Sequence, residues 1–343
     1  MKVAIIGMEC AGKKTLFKIL SNGGKNLVKR GSIEFSNTPV LDQRVTALSK
    51  IFNPKKTTYA ALEFIQTPSL TGDQKAANQT LNLIHAVDGL ILLVRDFHLE
   101  GLDPPQALKE FTSIRDDLLF NDLMKVESLL EKTEKRFKKM KEVQAEKEYN
   151  LLVKCKARLD TGASLQTADL NEEEQILIRN FDFLTRKPVF VLVNVGEDRI
   201  NADTGYDLGG FPNGQLSLKI EEEIFGLPEA EQKEFLDSLG LKEPGLSRII
   251  HACYAMTKLI SFFTTGEDEV KAWTIRQGTN ARAAAGAIHS DIERGFIRAE
   301  VTHYDDFIRA GSDQEAKKLN LLKLEGKDYI VQDGDIVHYR FNV

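Results

Sequence analysis

A short apolar strand, Met1-Lys-Val-Ala-Ile-Ile-Gly7, ends on a glycine, and Gly12-Lys13-Lys14-Thr15 follows within a few residues. Leu16, Phe17 and Leu20 then recur at helical spacing. Strand, glycine-rich turn and helix in that order follow the phosphate-loop pattern of Gly, four residues, Gly, Lys and then Ser or Thr. Gly7 and Gly12 free the backbone, so the N–H groups of Glu9, Cys10, Ala11, Gly12, Lys13, Lys14 and Thr15 can turn toward phosphate oxygens. Lys13 would reach the outer phosphates, and the start of the helix adds its dipole. The last position of the pattern carries the hydroxyl that binds Mg²⁺, and here it is Lys14. A cation beside a cation site repels its occupant. Thr15 lies one residue late, about 100° further round the helix, and does not simply substitute. Cys10, inside the loop, reads as a small structural residue, with oxidation of its thiol as the alternative.

Runs at 60–65, 89–94 and 188–193 read as buried parallel strands, with helix-like stretches such as 76–87 between them. Alternating strands and helices imply an α/β fold, a doubly wound parallel sheet with helices on both faces. A different texture interrupts it. Leu119, Leu123, Val126, Leu130, Thr133, Phe137 and Met140 form a heptad seam set among Lys and Glu. A second stripe, Leu152, Cys155 and Leu159, precedes the turn-prone Asp160-Thr-Gly-Ala163. Two helices folded back on each other, an inserted antiparallel coiled-coil hairpin, account for both stripes. Near the C-terminus short alternating segments at 270–275, 295–301, 329–331 and 337–341 read as strands of a small β-rich domain, with a turn at Asp333-Gly334. The only Trp, Trp273, belongs to the core of that domain.

With 343 residues the chain has room for two or three domains. Expected boundaries are 1–102 with 187–261 for the phosphate-loop domain, 103–186 for the arm and 262–343 for the β-rich domain. The formal net charge of −5 excludes nucleic-acid coating by bulk charge, but not a local basic face. Such a face is visible in the arm at Lys132, Lys135, Arg136, Lys138, Lys139 and Lys141. Three scattered cysteines argue for a reducing compartment, and no apolar run nears the ~20 residues that cross a bilayer. The N-terminus lacks the pattern of a signal peptide. A cytoplasmic protein is expected. The six histidines show no ligand spacing.

Several words of the sequence are similar to a known family. Gly295-Phe-Ile-Arg-Ala-Glu300, Leu324-Glu-Gly-Lys-Asp-Tyr-Ile-Val-Gln-Asp-Gly-Asp335, Val270-Lys-Ala-Trp-Thr-Ile275 and Ala285-Gly-Ala-Ile-His-Ser-Asp291 resemble the Obg-like ATPases of the YchF type, phosphate-loop proteins of the translation-factor class. The resemblance runs nearly end to end. It implies a GTPase-like domain, an inserted coiled-coil arm and a C-terminal TGS domain of β-grasp fold. It also implies ATP or GTP as cofactor and ribosomes or RNA as partners through the arm and TGS domain.

The family's base-recognition element, Asn-x-x-Glu, matches Asn194-Val-Gly-Glu197, and its further base-side loop matches Leu216-Ser217-Leu218-Lys219. The resemblance thus assigns the base to Asn194, Glu197, Ser217 and Leu218. An amide offers a purine edge both a donor and an acceptor, and a carboxylate offers an acceptor. The chain departs from the family on the metal side. The second phosphate motif normally supplies Asp and Gly, and here reads Phe64-Ile-Gln66-Thr-Pro-Ser69. The glycine-rich switch is reduced to Leu70-Thr-Gly-Asp-Gln-Lys-Ala-Ala. Hydroxyls that remain as metal-ligand candidates are those of Thr15, Ser32 and Thr38.

The expected function is a purine-nucleotide-binding regulator associated with translation or ribosomes, with weak or lost Mg²⁺-dependent hydrolysis. Two alternatives stand beside it. One is a nucleotide-independent adaptor for ribosomes or RNA. The other is an active phosphate-loop nucleoside triphosphatase in which Lys14 replaces the metal. No residue is assigned to catalysis.

Overall fold

A computed structural model describes residues 1–30, 33–68, 74–140 and 143–342. The chain begins with β1 (Lys2–Gly7), α1 (Lys13–Leu20), a hairpin of β2 (Leu27–Arg30) and β3 (Ile33–Val40), α2 (Gln43–Phe52), β4 (Lys56–Thr58) and β5 (Ala60–Gln66). Next come α3 (Gln74–His85), β6 (Gly89–Asp96), the long α4 (Ala107–Met140), α5 (Val143–Asp160), α6 (Glu172–Leu177), β7 (Val189–Val195) and β8 (Asn213–Leu216). Helices α7 (Leu218–Gly226), α8 (Glu229–Ser238) and α9 (Gly245–Met256) follow. The last part holds β9 (Leu259–Thr264), β10 (Glu269–Arg276), α10 (Ala281–Ile288), α11 (Ser290–Arg294), β11 (Phe296–His303), α12 (Tyr304–Ala310), α13 (Asp313–Lys318), β12 (Lys323–Glu325) and β13 (Asp335–Phe341).

The chain forms two compact units, one of residues 1–36 and 63–249, the other of 37–62 and 250–343. In the first, the strand order is β2-β3-β5-β1-β6-β7-β8. From β5 to β8 the neighbours run parallel. β6 and β7 are buried along their whole length, which is why both read as apolar runs as far as Val94 and Val193. β1 lies between β5 and β6, so the chain order reverses at β1, and a ligand crevice opens beyond such a switch point.

α4 serves two cores in turn. Phe111, Ile114 and Leu118 pack into the sheet core with Leu92 and Val191, so the sheet claims the start of a segment that the sequence reading gave to the arm. From Leu119 onward the helix pairs with α5, and Leu119 and Val126 join Leu151, Leu152, Cys155 and Leu159 in a separate core. From Leu119 to Phe137 the heptad seam is the buried or half-buried stripe. Phe137 stacks on Tyr149 with ring centres 6.3 Å apart. Burial pushes the Cys155 thiol up to about 11, so it acts as an apolar filler of the seam. Asp122, wholly buried, accepts the N–H of Leu184 at 2.8 Å, and the N–H and hydroxyl of Thr185 at 2.7 Å each. That carboxylate fixes the point at which the chain leaves the arm and re-enters the sheet.

The second unit is a six-stranded sheet ordered β12-β11-β13-β9-β10-β4. Its far edge, β4, comes from residues 37–62 and pairs parallel with β10. The sequence reading had placed those residues in the phosphate-loop domain and started the β-rich domain at 262, inside β9, which opens at Leu259. Residues 37–62 group here because α2 carries Phe52, stacked 5.4 Å from Phe307, and Arg44, which bonds Asp333 at 2.7 Å. The strand expected at 329–331 does not form. Tyr329 and Val331 bond the turn before α10 (Ala281 N–H to the Tyr329 carbonyl at 2.7 Å, Val331 N–H to the Thr279 carbonyl at 3.1 Å), leaving one isolated bridge between Asn280 and Ile330. Trp273 is half buried against the core of this unit, with the Lys271 ammonium 3.6 Å from its ring centre.

Candidate functional site

The phosphate-loop segment leaves β1 at Gly7 and enters α1 through Gly12. Both glycines are required by geometry. A Cβ on Gly7 would lie 2.5 Å from the Leu93 carbonyl oxygen, a backbone atom of the neighbouring strand. Gly12 has φ +103°, and a Cβ there would lie 2.7 Å from both Asn194 Nδ2 and Leu218 Cδ1. Cys10 is exposed and also left-handed, at φ 60°, a feature its sequence position did not announce. Lys13 Nζ donates to the carbonyls of Gly7 at 2.5 Å and Met8 at 2.9 Å, so two of its three donors serve the loop itself. Burial holds this ammonium below the usual lysine range, opposed chiefly by the charge of Glu9.

Two other loops meet the phosphate loop at the same edge of the sheet. At the end of β7, Asn194 is only 4 % exposed. Its Nδ2 donates to the Ala11 carbonyl at 3.0 Å, and its Oδ1 accepts the Leu218 N–H at 3.0 Å. The sequence reading turned this amide toward a purine edge; in the structure it ties three loops together. Burial explains these bonds, since an unpaired amide at that depth would be costly. Glu197, which the resemblance assigns to the base, lines the cavity described below and pairs with Lys219 at 2.6 Å, both side chains being exposed. Ser217 is buried at the start of α7, where its hydroxyl makes no capping bond.

Between these loops lies a cavity of about 690 Å³, within the range of small-molecule sites. Gly12 and Thr15 form its phosphate-loop edge, Asn194 to Arg199 one wall and Ser217 to Lys219 another. The remaining wall, Asp96 to Leu99 with Pro105, was missed in the sequence. Asp96 is buried, accepts the Tyr206 hydroxyl at 2.9 Å and lies 2.9 Å from Arg199 Nη1. The only sequence signal was a pair of ionisable residues, Arg95 and Asp96, closing an otherwise apolar strand. Arg95, beside it, donates to the Asp103 carbonyl at 2.9 Å, and its own N–H is accepted by Glu110 of α4 at 3.0 Å. The loop that walls the cavity is therefore bonded to the first turn of α4, inside the sheet domain.

The phosphate side offers little to a metal. Lys14 is exposed, and Gln66, neutral, ends β5 beside Ile5. Among the described residues no group of three His, Cys, Asp or Glu side chains could hold an ion. Ser32, Ser69 and the reduced switch at 70–73 lie outside the described residues. Thr38 is buried in β3 and belongs to the other compact unit. Thr15 keeps its place on the cavity edge. In a smaller cavity of about 290 Å³ at the root of the arm, the charged groups and Thr185 are already engaged: Arg115 with Asp116, Arg158 with the Ser164 carbonyl and Thr167, and Thr185 with Asp122.

The fold is that of the phosphate-loop NTPase class, carrying a helical arm and a C-terminal sheet unit. Residues 259–342 match the family profile YchF-GTPase_C, described as "Protein of unknown function (DUF933)". The chain is 34% identical over 375 residues to the ribosome-binding ATPase YchF of Bacillus subtilis, with 100% of both chains covered. It is 36% identical over 367 residues to the protein of that name from Haemophilus influenzae, covering 100% of this chain and 99% of the relative. The solved structure of the Schizosaccharomyces pombe YchF GTPase matches with a TM-score of 0.86 at 28% identity, across 99% of this chain and 97% of that one. The chain belongs to the YchF family.

Proposed function

We propose that this protein binds a purine nucleotide, ATP or GTP, in the 690 Å³ cavity and acts as a ribosome-associated regulator with weak or no hydrolysis. The observation that carries the reading is the meeting of three loops, the phosphate loop, the Asn194 loop and the Ser217 loop, on that one cavity. The N–H groups from Glu9 to Thr15 take the phosphates. Leu218, Ser217 and the Glu197–Lys219 pair flank the base, with Asn194 holding the loops in place. Hydrolysis is expected to be weak because the two side chains that normally hold the metal are replaced by Lys14 and Gln66. Ribosome association is supported by the relatives, which are named ribosome-binding ATPases. A cytosolic setting goes with such a partner, and among the described residues no helix is long and apolar enough to cross a membrane.

Thermal melting of the whole chain with ATP and with GTP tests the reading. A ligand at a hundredfold its Kd adds ~2.7 kcal/mol of stability. Because Glu197 stands where GTPases read guanine with an Asp, ATP should protect at least as well as GTP. Clear preference for GTP would overturn the base assignment, and no protection by either would overturn nucleotide binding.

A second reading, an RNA-binding adaptor independent of nucleotide, is favoured by the arm. Lys132, Lys135, Arg136 and Lys139 are exposed and fall at i, i+3, i+4 and i+7, on one face of α4.

A further inference from the structure

The phosphate site and the metal that phosphate-loop proteins employ do not agree in this chain. Mg²⁺ demands near-octahedral oxygen ligands and is held by the loop's Ser or Thr and by an acid at the end of a neighbouring strand. Here the loop position is an ammonium, which has three donors and no acceptor. The strand position, beside Ile5 of β1, is a neutral amide, Gln66. These residues do not fit the ion.

Their placement suits a different way of meeting phosphate charge. α1 carries three lysines. Lys18 is paired with Glu222 at 2.7 Å, and Lys13 is bonded to the Gly7 and Met8 carbonyls. Lys14 lies in the first turn of the helix, exposed, with no ion pair or hydrogen bond among the described residues. Its charge is therefore available to an anion, at a helix end whose dipole already attracts one. Replacing the acid by Gln66 removes the carboxylate that would otherwise have paired with that ammonium. The two departures compensate each other: one supplies a fixed positive charge, the other withdraws the negative charge that a metal would have needed.

We propose that this site binds a nucleoside triphosphate without a divalent cation, the Lys14 ammonium standing in for Mg²⁺ against the phosphate oxygens. The proposal rests on the nucleotide-binding reading above and goes one step beyond it.

The test is titration of a fluorescent ATP analogue into the full chain, once with EDTA and once with excess Mg²⁺. The two Kd values should agree within about threefold, under ~0.7 kcal/mol. Lys14→Ala should weaken binding in EDTA about tenfold or more, as expected for one lost charge-assisted hydrogen bond. Lys14→Ser with Gln66→Asp should make binding at least about tenfold tighter with Mg²⁺ than with EDTA. Melting curves of both variants confirm folding, and the wild-type comparison needs no variant. Wild-type binding that requires Mg²⁺ would overturn the metal-free site and leave nucleotide binding intact. Unchanged affinity of Lys14→Ala in EDTA would remove the role given to that lysine. Absence of binding in both buffers would overturn the nucleotide reading and this inference together.

Discussion

Asn194 joins loops that are far apart in sequence and must sit together before any ligand arrives. Its amide satisfies a carbonyl in the phosphate loop and an N–H at the start of α7. Both partners are buried with it, so truncation strands a donor and an acceptor away from water. Asn194→Ala should cost about 1–3 kcal/mol of unfolding free energy and loosen the cavity. Urea unfolding measures the first effect, and a change under ~0.5 kcal/mol, the range of an ordinary surface substitution, would show that the amide is dispensable. The sequence made Asn194 visible through its position after a buried strand, but not its role. Side-chain direction depends on which loops the topology brings within reach, and residues 183 positions apart bond here. Gly7 and Gly12 were readable because their constraint is local: one closes on a strand neighbour, the other adopts a conformation that glycine tolerates. Asp96 was not readable. Nothing in a linear pattern says that a charged residue ending an apolar strand will be met by Tyr206 and Arg199.

At the level of elements, the arm shows what periodicity can and cannot deliver. A seam of period 3.5 determined that α4 and α5 pair, because only that spacing keeps one stripe facing a partner. It could not show that α4 begins inside the sheet domain, since Phe111, Ile114 and Leu118 continue the same helical spacing into a different core. The strand expected at 329–331 failed for a related reason. Alternation describes a half-buried extended segment, and whether it becomes a strand depends on finding another strand beside it, not a turn. The arm's basic residues are likewise sorted by structure. Lys138 is bonded to Glu134 and Arg136 to Glu148, and Lys141 lies outside the described residues, whereas Lys132, Lys135 and Lys139 lie on the exposed face that Arg136 shares. Replacing Lys132, Lys135 and Lys139 by Glu should weaken ribosome co-sedimentation and lower the salt slope of RNA binding by about 0.7 for each lost single-strand phosphate contact. The arm should still fold, because none of the three lies in the seam. Unchanged co-sedimentation would assign these lysines to solubility alone.

For the molecule as a whole, the chain passes between its two compact units at 36/37, 62/63 and 249/250. The C-terminal unit is therefore not a simple C-terminal domain. Composition and alternation marked where the β-rich texture starts, and a boundary at 262 follows from them. They could not mark 37–62, because a helix and a short edge strand look alike whichever sheet they join. We propose that the independently folding unit is 37–62 together with 250–343. Phe307 is fully buried and stacks on Phe52 of α2. Arg44 bonds Asp333, whose carboxylate also accepts the Ser261 N–H at 2.9 Å, and the guanidinium lies 5.1 Å from the Phe263 ring centre. Removing 37–62 would bare one side of Phe307 and Phe263 and strip β10 of its parallel neighbour β4. A fragment of 250–343 alone should thus be at least about 3 kcal/mol less stable than one in which 37–62 is joined to it by a flexible linker, the scale of losing a large aromatic contact from a core. A fragment cut at 262 should fare worse still, since it also discards Leu259 to Ser261 of β9, including the Ile260 and Ser261 partners of Ile275 and Thr274. Denaturant unfolding of the three fragments makes the comparison. Equal stability of 250–343 with and without 37–62 would return those residues to the phosphate-loop domain.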